Sequence, residues 1–167
     1  MRLNILPIRE IAGQSIEFDY TLDLSALELY GERPLGHPVR VYGCAQNRAD
    51  MFELHLTVDY SVGTRCARCL KTITQAEGLV IKKPMADSVE NLDDENSDEI
   101  ILLENGCVDL DELVTEAIIL DAQMSYLCHD DCRGLCPLCG CDLNENSCSC
   151  ETSEPDERLE VLRRFLE

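Results

Sequence analysis

Eleven cysteines dominate the chemistry open to this 167-residue chain. Two form the motif Cys66-Ala67-Arg68-Cys69, and most of the others lie between positions 128 and 150. A Cys-x-x-Cys turn brings two sulfurs to one ion, and four thiolates complete the tetrahedron that zinc prefers. The N-terminus does not read as a secretory signal, so we expect a cytoplasmic location, where clustered cysteines usually bind metal. The cysteines therefore predict structural zinc.

The spacing favours two four-cysteine sites and two Zn²⁺ ions. Cys136-Pro137-Leu138-Cys139 is a stiff turn whose following glycine permits the backbone to direct amides at the sulfur, and Cys148 and Cys150 would complete that site. Cys66 and Cys69 would then share an ion with Cys128 and Cys132. The predicted metal ligands are Cys66, Cys69, Cys128, Cys132, Cys136, Cys139, Cys148 and Cys150.

A second partition of the cysteines stays open. It places Cys128, Cys132, Cys136 and Cys139 on one ion and pairs Cys66 and Cys69 with Cys148 and Cys150. His129 or Cys141 could also replace a ligand, and iron is not excluded as the metal. Cys44 and Cys107 are expected to be small buried side chains without a function.

No catalytic site is predicted. The sequence contains no Gly-rich phosphate loop, no His-Glu-x-x-His and no Gly-x-Ser-x-Gly. A complete four-cysteine zinc site leaves no position for a reacting water. A redox role is disfavoured because the residues after Cys69 resemble a strand, whereas a thioredoxin-like pair precedes a helix. We expect a non-enzymatic protein, with a redox-responsive protein as an alternative.

The charge of the chain is unevenly distributed. Residues 1–83 carry ten basic and ten acidic residues, whereas residues 84–167 carry four and 23, which accounts for the whole net charge of −19. Residues 87–99 hold seven acids and no base and are expected to form an acidic loop. Such a surface attracts basic proteins and repels phosphate backbones. No membrane partner is expected, because no stretch approaches the ~18 apolar residues of a membrane span. No small-molecule substrate is expected either.

The first half of the chain predicts an antiparallel sheet. Apolar and polar residues alternate strictly from Ile16 to Leu24 and from Phe52 to Tyr60, which is the period of a strand with one buried face. Residues 39–42 and 78–81 are weaker strand candidates, and residues 46–50 are expected to form a hairpin connection.

The second half predicts one packed helix. Asp109 is expected to cap it, together with Glu112, and the helix should end near Tyr126 and Leu127. Residues 100–103 are expected to add a short strand, and residues 156–166 a short terminal helix. The predicted apolar stripe of the packed helix is Leu110, Leu113, Val114, Ala117, Ile118 and Met124.

The predicted fold class is therefore α+β. We expect a β-rich region over residues 1–86 with the first Cys-x-x-Cys, an acidic loop over 87–99, and a strand and helix packed on the sheet over 100–127. A zinc-binding module and terminal helix would follow over 128–167. The prediction is one compact domain with a C-terminal extension that zinc holds in place.

Several motifs together resemble the bacterial YceD family. They are Cys66-Ala-Arg-Cys69-Leu70, the helix start Asp109-Leu-Asp-Glu-Leu113, the string Cys132-Arg-Gly-Leu-Cys-Pro-Leu-Cys-Gly140 with Leu143-Asn144, and the ending Asp156-Glu-Arg158-Leu159. The cysteine-rich ending is similar to that of Gram-positive members. Some other members keep the first pair and a cysteine or histidine near position 128–132 but lose the later cysteines, which favours two sites.

The resemblance implies a role in accumulation of large-subunit (23S) ribosomal RNA, hence in ribosome assembly, and no established enzymatic activity. The expected partners are ribosomal proteins or the pre-50S particle, reached through the acidic half of the chain. Direct rRNA binding through Arg65, Arg68 and Lys71, beside Lys82 and Lys83, is an alternative. A generic zinc-stabilised adaptor is a third.

Overall fold

A computed structural model describes residues 1–48, 51–87 and 100–150. This part of the chain forms a mainly antiparallel sheet and one α-helix, so the predicted α+β class is confirmed. The elements are β1 (Arg2–Asn4), a 3-10 helix (Leu6–Ile8), β2 (Ser15–Leu22), β3 (Val39–Arg48), β4 (Met51–Arg65), β5 (Thr72–Ala86), β6 (Ile101–Leu102), β7 (Cys107–Asp109) and α1 (Leu110–Asp121).

The larger sheet has the strand order β2-β3-β4-β5-β6. Strands β2, β3 and β4 pair antiparallel, with Ile16 opposite Ala45 and Val41 opposite Val58. Strand β6 instead runs parallel to β5, which the sequence did not predict. Parallel neighbouring strands need a crossover connection, and the stretch of chain between β5 and β6 is long enough to provide one. Strands β1 and β7 form a separate antiparallel ribbon, whose three-residue strands carry too little periodicity to predict.

Strand β4 provides most of the core, as its alternation predicted. Every second side chain from Phe52 to Val62 is buried, whereas the residues between them are more exposed. Strand β3 extends through residues 46–48, which were wrongly assigned to the hairpin connection. Asn47 is fully buried there. Its Nδ2 donates to the carbonyl oxygens of Ile8 (2.8 Å) and Arg9 (3.0 Å), which supply the partners that a buried amide needs.

Helix α1 begins as predicted and ends earlier. The Asp109 side chain accepts hydrogen bonds from the backbone N–H groups of Asp111 and Glu112, and Leu110, Val114 and Ile118 are fully buried. The helix ends at Asp121, not near Tyr126, and Met124 is 86% exposed rather than part of the apolar stripe. A carboxylate at this end of a helix opposes the helix dipole, and the carboxylate of Asp121, the last helical residue, accepts a hydrogen bond from the Tyr60 hydroxyl at 3.0 Å.

The chain divides into two compact units. The sheet unit comprises residues 1–64 and 73–124, with both sheets and α1. The cysteine unit comprises residues 65–72 and 125–167. The predicted terminal helix over 156–166 and nearly all of the predicted acidic loop lie outside the described residues. None of the described helices is long and apolar enough to cross a membrane.

Candidate metal centre

The first Cys-x-x-Cys forms a tight turn between β4 and β5. The backbone N–H of Leu70 donates to the Cys66 carbonyl oxygen at 2.9 Å, and Leu70 adopts a left-handed conformation with φ of 60°. The backbone N–H groups of Cys69 and Arg68 donate to the Cys66 sulfur. Cys66 and Cys69 are both buried. This turn aims two sulfurs and two amides at one point, as a metal-binding turn requires.

The second Cys-x-x-Cys repeats this geometry. The backbone N–H of Gly140 donates to the Cys136 carbonyl oxygen at 2.8 Å, and Gly140 has φ of 73°. The backbone N–H groups of Cys139 and Leu138 donate to the Cys136 sulfur. Glycine here carries the left-handed conformation without a Cβ clash, as the sequence predicted. We refer to the two turns as the first and second knuckle.

Four sulfurs meet at the first knuckle. Those of Cys66, Cys69, Cys128 and Cys132 all lie within 4.8 Å of one another. The Cys66–Cys132 and Cys69–Cys128 sulfur pairs are 3.7 Å and 3.6 Å apart. A zinc–sulfur bond of about 2.3 Å places tetrahedral ligands about 3.8 Å apart, whereas a disulfide needs about 2.05 Å. The four thiols therefore have the spacing of ligands around one tetrahedral ion.

The second group consists of Cys136, Cys139, Cys148 and Cys150, again within 4.8 Å of one another. This grouping of the eight sulfurs is the one that the spacing favoured, and the alternative partition does not match it. The second group is the more exposed, since only Cys136 is buried. Cys141 and His129 belong to neither group, although His129 Nδ1 lies 3.1 Å from the Cys128 sulfur. Both groups can hold a metal ion with cysteine ligands alone.

Asn144 connects the two groups, a role that was not predicted although Leu143-Asn144 is part of the motif that carries the family resemblance. Its Nδ2 donates to the Cys132 sulfur at 3.5 Å and to Asp142 Oδ1 at 2.7 Å, and its Oδ1 accepts from the Arg133 backbone N–H at 2.7 Å. A loop asparagine is ordinarily explained by the turn that it forms. No pattern in one sequence reveals that its amide reaches a sulfur of the other group.

The thiols of each group fall into two kinds, those with a lowered pKa and those with a raised pKa. Backbone hydrogen bonds, from Cys69 and Cys139 above all, lower the pKa of Cys66 and of Cys136 to about 6. Burial and the neighbouring thiols raise the pKa of Cys128 to about 12, and the Cys139 side chain raises that of Cys150 to about 12. Each group thus contains one thiol that ionises easily and one that needs a cation nearby.

Two of the three basic residues proposed for partner binding are engaged inside the cysteine unit. Arg68 Nη1 donates to the Cys132 carbonyl oxygen at 2.8 Å, and Lys71 Nζ pairs with Glu145 at 2.7 Å. Arg65 is exposed at the end of β4. Cys44 in β3 and Cys107 in β7 are half-buried, which is less than expected. Arg68 and Lys71 thus help to assemble the cysteine unit.

Comparison with known proteins identifies the family. The family model described as "Large ribosomal RNA subunit accumulation protein YceD" matches residues 54–166. The uncharacterized protein YlbN of Bacillus subtilis is 26% identical over 168 residues, covering 99% of this chain and 96% of that protein. The uncharacterized protein Rv2926c of Mycobacterium tuberculosis is 32% identical over 99 residues, covering 58% of this chain and 44% of that protein. No solved structure matches significantly. The chain therefore belongs to the YceD family of large ribosomal RNA subunit accumulation proteins.

Proposed function

We propose that this chain is a non-enzymatic, cytoplasmic assembly factor that supports accumulation of 23S rRNA through contacts with basic ribosomal proteins. Two observations support the proposal. The family description names accumulation of the large ribosomal RNA subunit. The chain's net charge of −19 disfavours direct attraction to an RNA backbone and favours a basic protein partner.

The location of the acids supports a protein partner in particular. No lysine or arginine occurs between Lys83 and Arg133, so helix α1 and the segment leading to Cys128 carry acids without basic neighbours in the sequence. Long-range attraction of this kind accelerates encounter with a basic partner and weakens as salt is added. The partner would be released when rRNA, a stronger polyanion, competes for it.

We further propose that each four-cysteine group holds one structural Zn²⁺. Thiolate ligands suit zinc, and four of them leave no coordination position for water or substrate. The ions would fix the two knuckles and the loop that carries Asn144. Their contribution to function is then the shape of the cysteine unit, since a closed site has no position for chemistry on the metal.

A depletion experiment tests the proposed role. In a strain lacking the chain we expect the 23S-to-16S rRNA ratio to fall at least about twofold, and full-length chain to restore it. In sucrose gradients the chain should co-sediment with large-subunit precursors at low salt and dissociate at high salt. An unchanged rRNA ratio together with migration as free protein would reject an assembly role and favour a generic zinc adaptor.

Direct rRNA binding is the competing interpretation. It requires Arg65, Arg68 and Lys71 to face RNA, yet Arg68 and Lys71 are already engaged within the cysteine unit. Arg65→Glu is therefore the cleaner test, with Arg33→Glu as a control for an exposed arginine in the sheet unit. Loss of rRNA crosslinking in the first variant alone would favour direct binding over a protein partner.

A further inference from the structure

A groove lies between helix α1 and strand β5 within the sheet unit. Its volume is about 350 Å³, and apolar side chains of both elements line most of it. Two of them are strongly exposed, Leu120 at 86% and Val80 at 63%. We call this the α1–β5 groove; its lining is Leu79, Val80, Ile81, Lys83, Leu113, Glu116, Ala117, Leu120 and Asp121.

The helix contributes a mixed stripe to this groove. Leu113, Glu116, Ala117 and Leu120 follow the i, i+3, i+4, i+7 spacing of one helix face, beside the buried face of Leu110, Val114 and Ile118. Exposed leucine at 86% is unfavourable in water, because its apolar surface remains hydrated. Glu116 places a carboxylate within the same stripe.

The acidic character continues beyond the groove. A second depression, of about 330 Å³, lies on the other side of α1 and shares Leu113 and Glu116 with the α1–β5 groove. It adds Glu112 and the exposed Leu102. Acids and apolar residues thus share the outward side of α1, where the helix itself supplies no lysine or arginine. The strands add one basic residue to each depression, Lys83 to the α1–β5 groove and Arg2, which pairs with Glu104, to the second depression. A partner must offer both apolar and basic side chains.

Charge disfavours the other occupants, because the carboxylates of Glu116 and Asp121 outnumber the single ammonium group of Lys83 in the lining. The chain's own stretch 87–99 carries seven acids and no base, so Glu116 and Asp121 would repel it. A second copy of the chain would bring the same acidic face and a net charge of −19. Nucleic acid would be repelled in the same way. A basic amphipathic segment of another protein satisfies both the leucines and the carboxylates.

We propose that the α1–β5 groove binds a lysine- or arginine-rich amphipathic segment of a basic protein, with its apolar side chains on Leu113 and Leu120 and its basic groups on Glu116 and Asp121. The inference rests on the proposed function for the identity of the partner class, and on the groove alone for the binding itself.

A designed peptide tests the groove without knowledge of the partner. The probe is a fluorescent leucine–lysine peptide about four helical turns long, with leucines on one face, titrated with full-length chain at about 50 mM salt. We expect Leu120→Lys to weaken binding at least about tenfold, since it removes the anchor and adds a positive charge that repels the lysines of the peptide. Met51→Lys is the matched control, because Met51 is 66% exposed in the same unit and the variant adds the same charge. It should change binding less than about twofold.

A second pair of variants separates the carboxylate from the net charge. Glu116→Lys should weaken binding at least about tenfold, whereas Glu10→Lys, which makes the same charge change at another exposed site, should not. Circular dichroism before titration identifies any variant that fails to fold. Equal effects within either pair would overturn the proposal, as would equal binding of a peptide with the same composition and scrambled order. Self-association of the chain that Leu120→Lys abolishes would assign the groove to a second copy.

A cellular arm distinguishes this inference from the proposed function. If depletion lowers the 23S-to-16S ratio and Leu120→Lys restores it fully, the groove inference fails and the assembly role stands. If depletion leaves the ratio unchanged while the peptide data follow the expected pattern, the groove binds a basic segment and the assembly role fails.

Discussion

The side-chain amide of Asn144 donates to the sulfur of Cys132 at 3.5 Å. Asn144 lies in the loop between the second knuckle and Cys148, so this loop supports a ligand of the first group. Cys132 is 2% exposed, and the amide is therefore a fixed neighbour of the sulfur in place of water. A donor at a metal-bound thiolate disperses its charge and orients it. The two four-cysteine groups are thereby parts of one structure.

Replacing Asn144 should weaken metal binding at the first group. In Asn144→Asp a carboxylate replaces the amide donor beside the sulfur, and we expect zinc to be lost about 10–100-fold more readily from one of the two sites, as chelator competition would measure. Asn146→Asp is the control, since it introduces the same charge in the same loop and Asn146 bonds Asp142 through its backbone N–H. Equal zinc loss from both variants would mean that charge alone matters.

Elemental analysis should find about two zinc ions per chain, one for each four-cysteine group. Replacing Cys66 and Cys69 by serine should leave about one, and so should replacing Cys148 and Cys150. Cys44→Ser should leave both, because Cys44 lies in β3 and belongs to neither group. Loss of all metal in one of the double variants would show that the group left intact in it does not bind metal without the other.

The residues after the two knuckles should respond to substitution in opposite directions. Leu70 and Gly140 share the left-handed conformation, with φ of 60° and 73°, but only glycine adopts it without strain. Leu70 is 59% exposed, so little burial is lost in Leu70→Gly. We expect Leu70→Gly to raise the free energy of unfolding by about 0.5–1 kcal/mol and Gly140→Ala to lower it by about 1 kcal/mol, measured by denaturant titration with zinc present. A change of the free energy of unfolding in the same direction for both substitutions would refute this account.

In zinc-free protein, thiolate absorbance should reveal about two thiols that ionise near pH 6. Backbone hydrogen bonds lower the pKa of Cys66 and of Cys136 to about 6 from the ordinary 9.0. Their ionisation therefore stabilises the folded chain fully above about pH 9, and this stabilisation is lost as the pH falls through 6. Cys66→Ser and Cys136→Ser should each remove about one thiol from this step. Ionisation of every thiol near its ordinary value would show that the knuckles do not persist without metal.

Alternation was sufficient to predict the strands that bury one face. The residues from Phe52 to Tyr60 identified β4 because burial and periodicity coincide there. Strand β5 was underestimated, since residues 78–81 and the residues directly after Cys69 looked strand-like but were not joined into the fifteen residues from Thr72 to Ala86. Only two of the fifteen residues of β5 are buried and the others are exposed or half-buried, so selection for apolar residues is weak along it.

The grouping of the cysteines followed from spacing, because a Cys-x-x-Cys turn is local and its geometry is nearly independent of the fold. The end of helix α1 at Asp121 did not follow from spacing, and the tertiary contact of Asp121 with Tyr60 is likewise invisible in a single sequence. The same holds for Asn144 and for the buried amide of Asn47, whose partners are separated from them in the chain. Local chemistry is readable from sequence; the choice of distant partner is not.

The cysteine unit is built from two pieces of chain, residues 65–72 and the stretch from Ser125 onward. At a synthesis rate of about 5–20 residues per second, Cys66 is added to the chain roughly 3–12 s before Cys128. The second group, by contrast, lies within residues 136–150 and closes almost as soon as it is translated. During each round of synthesis the two thiols of the first knuckle must wait uncoordinated for Cys128 and Cys132, and translation then sets the order of metal loading, because the first group is complete before Cys136, the first ligand of the second group, is made.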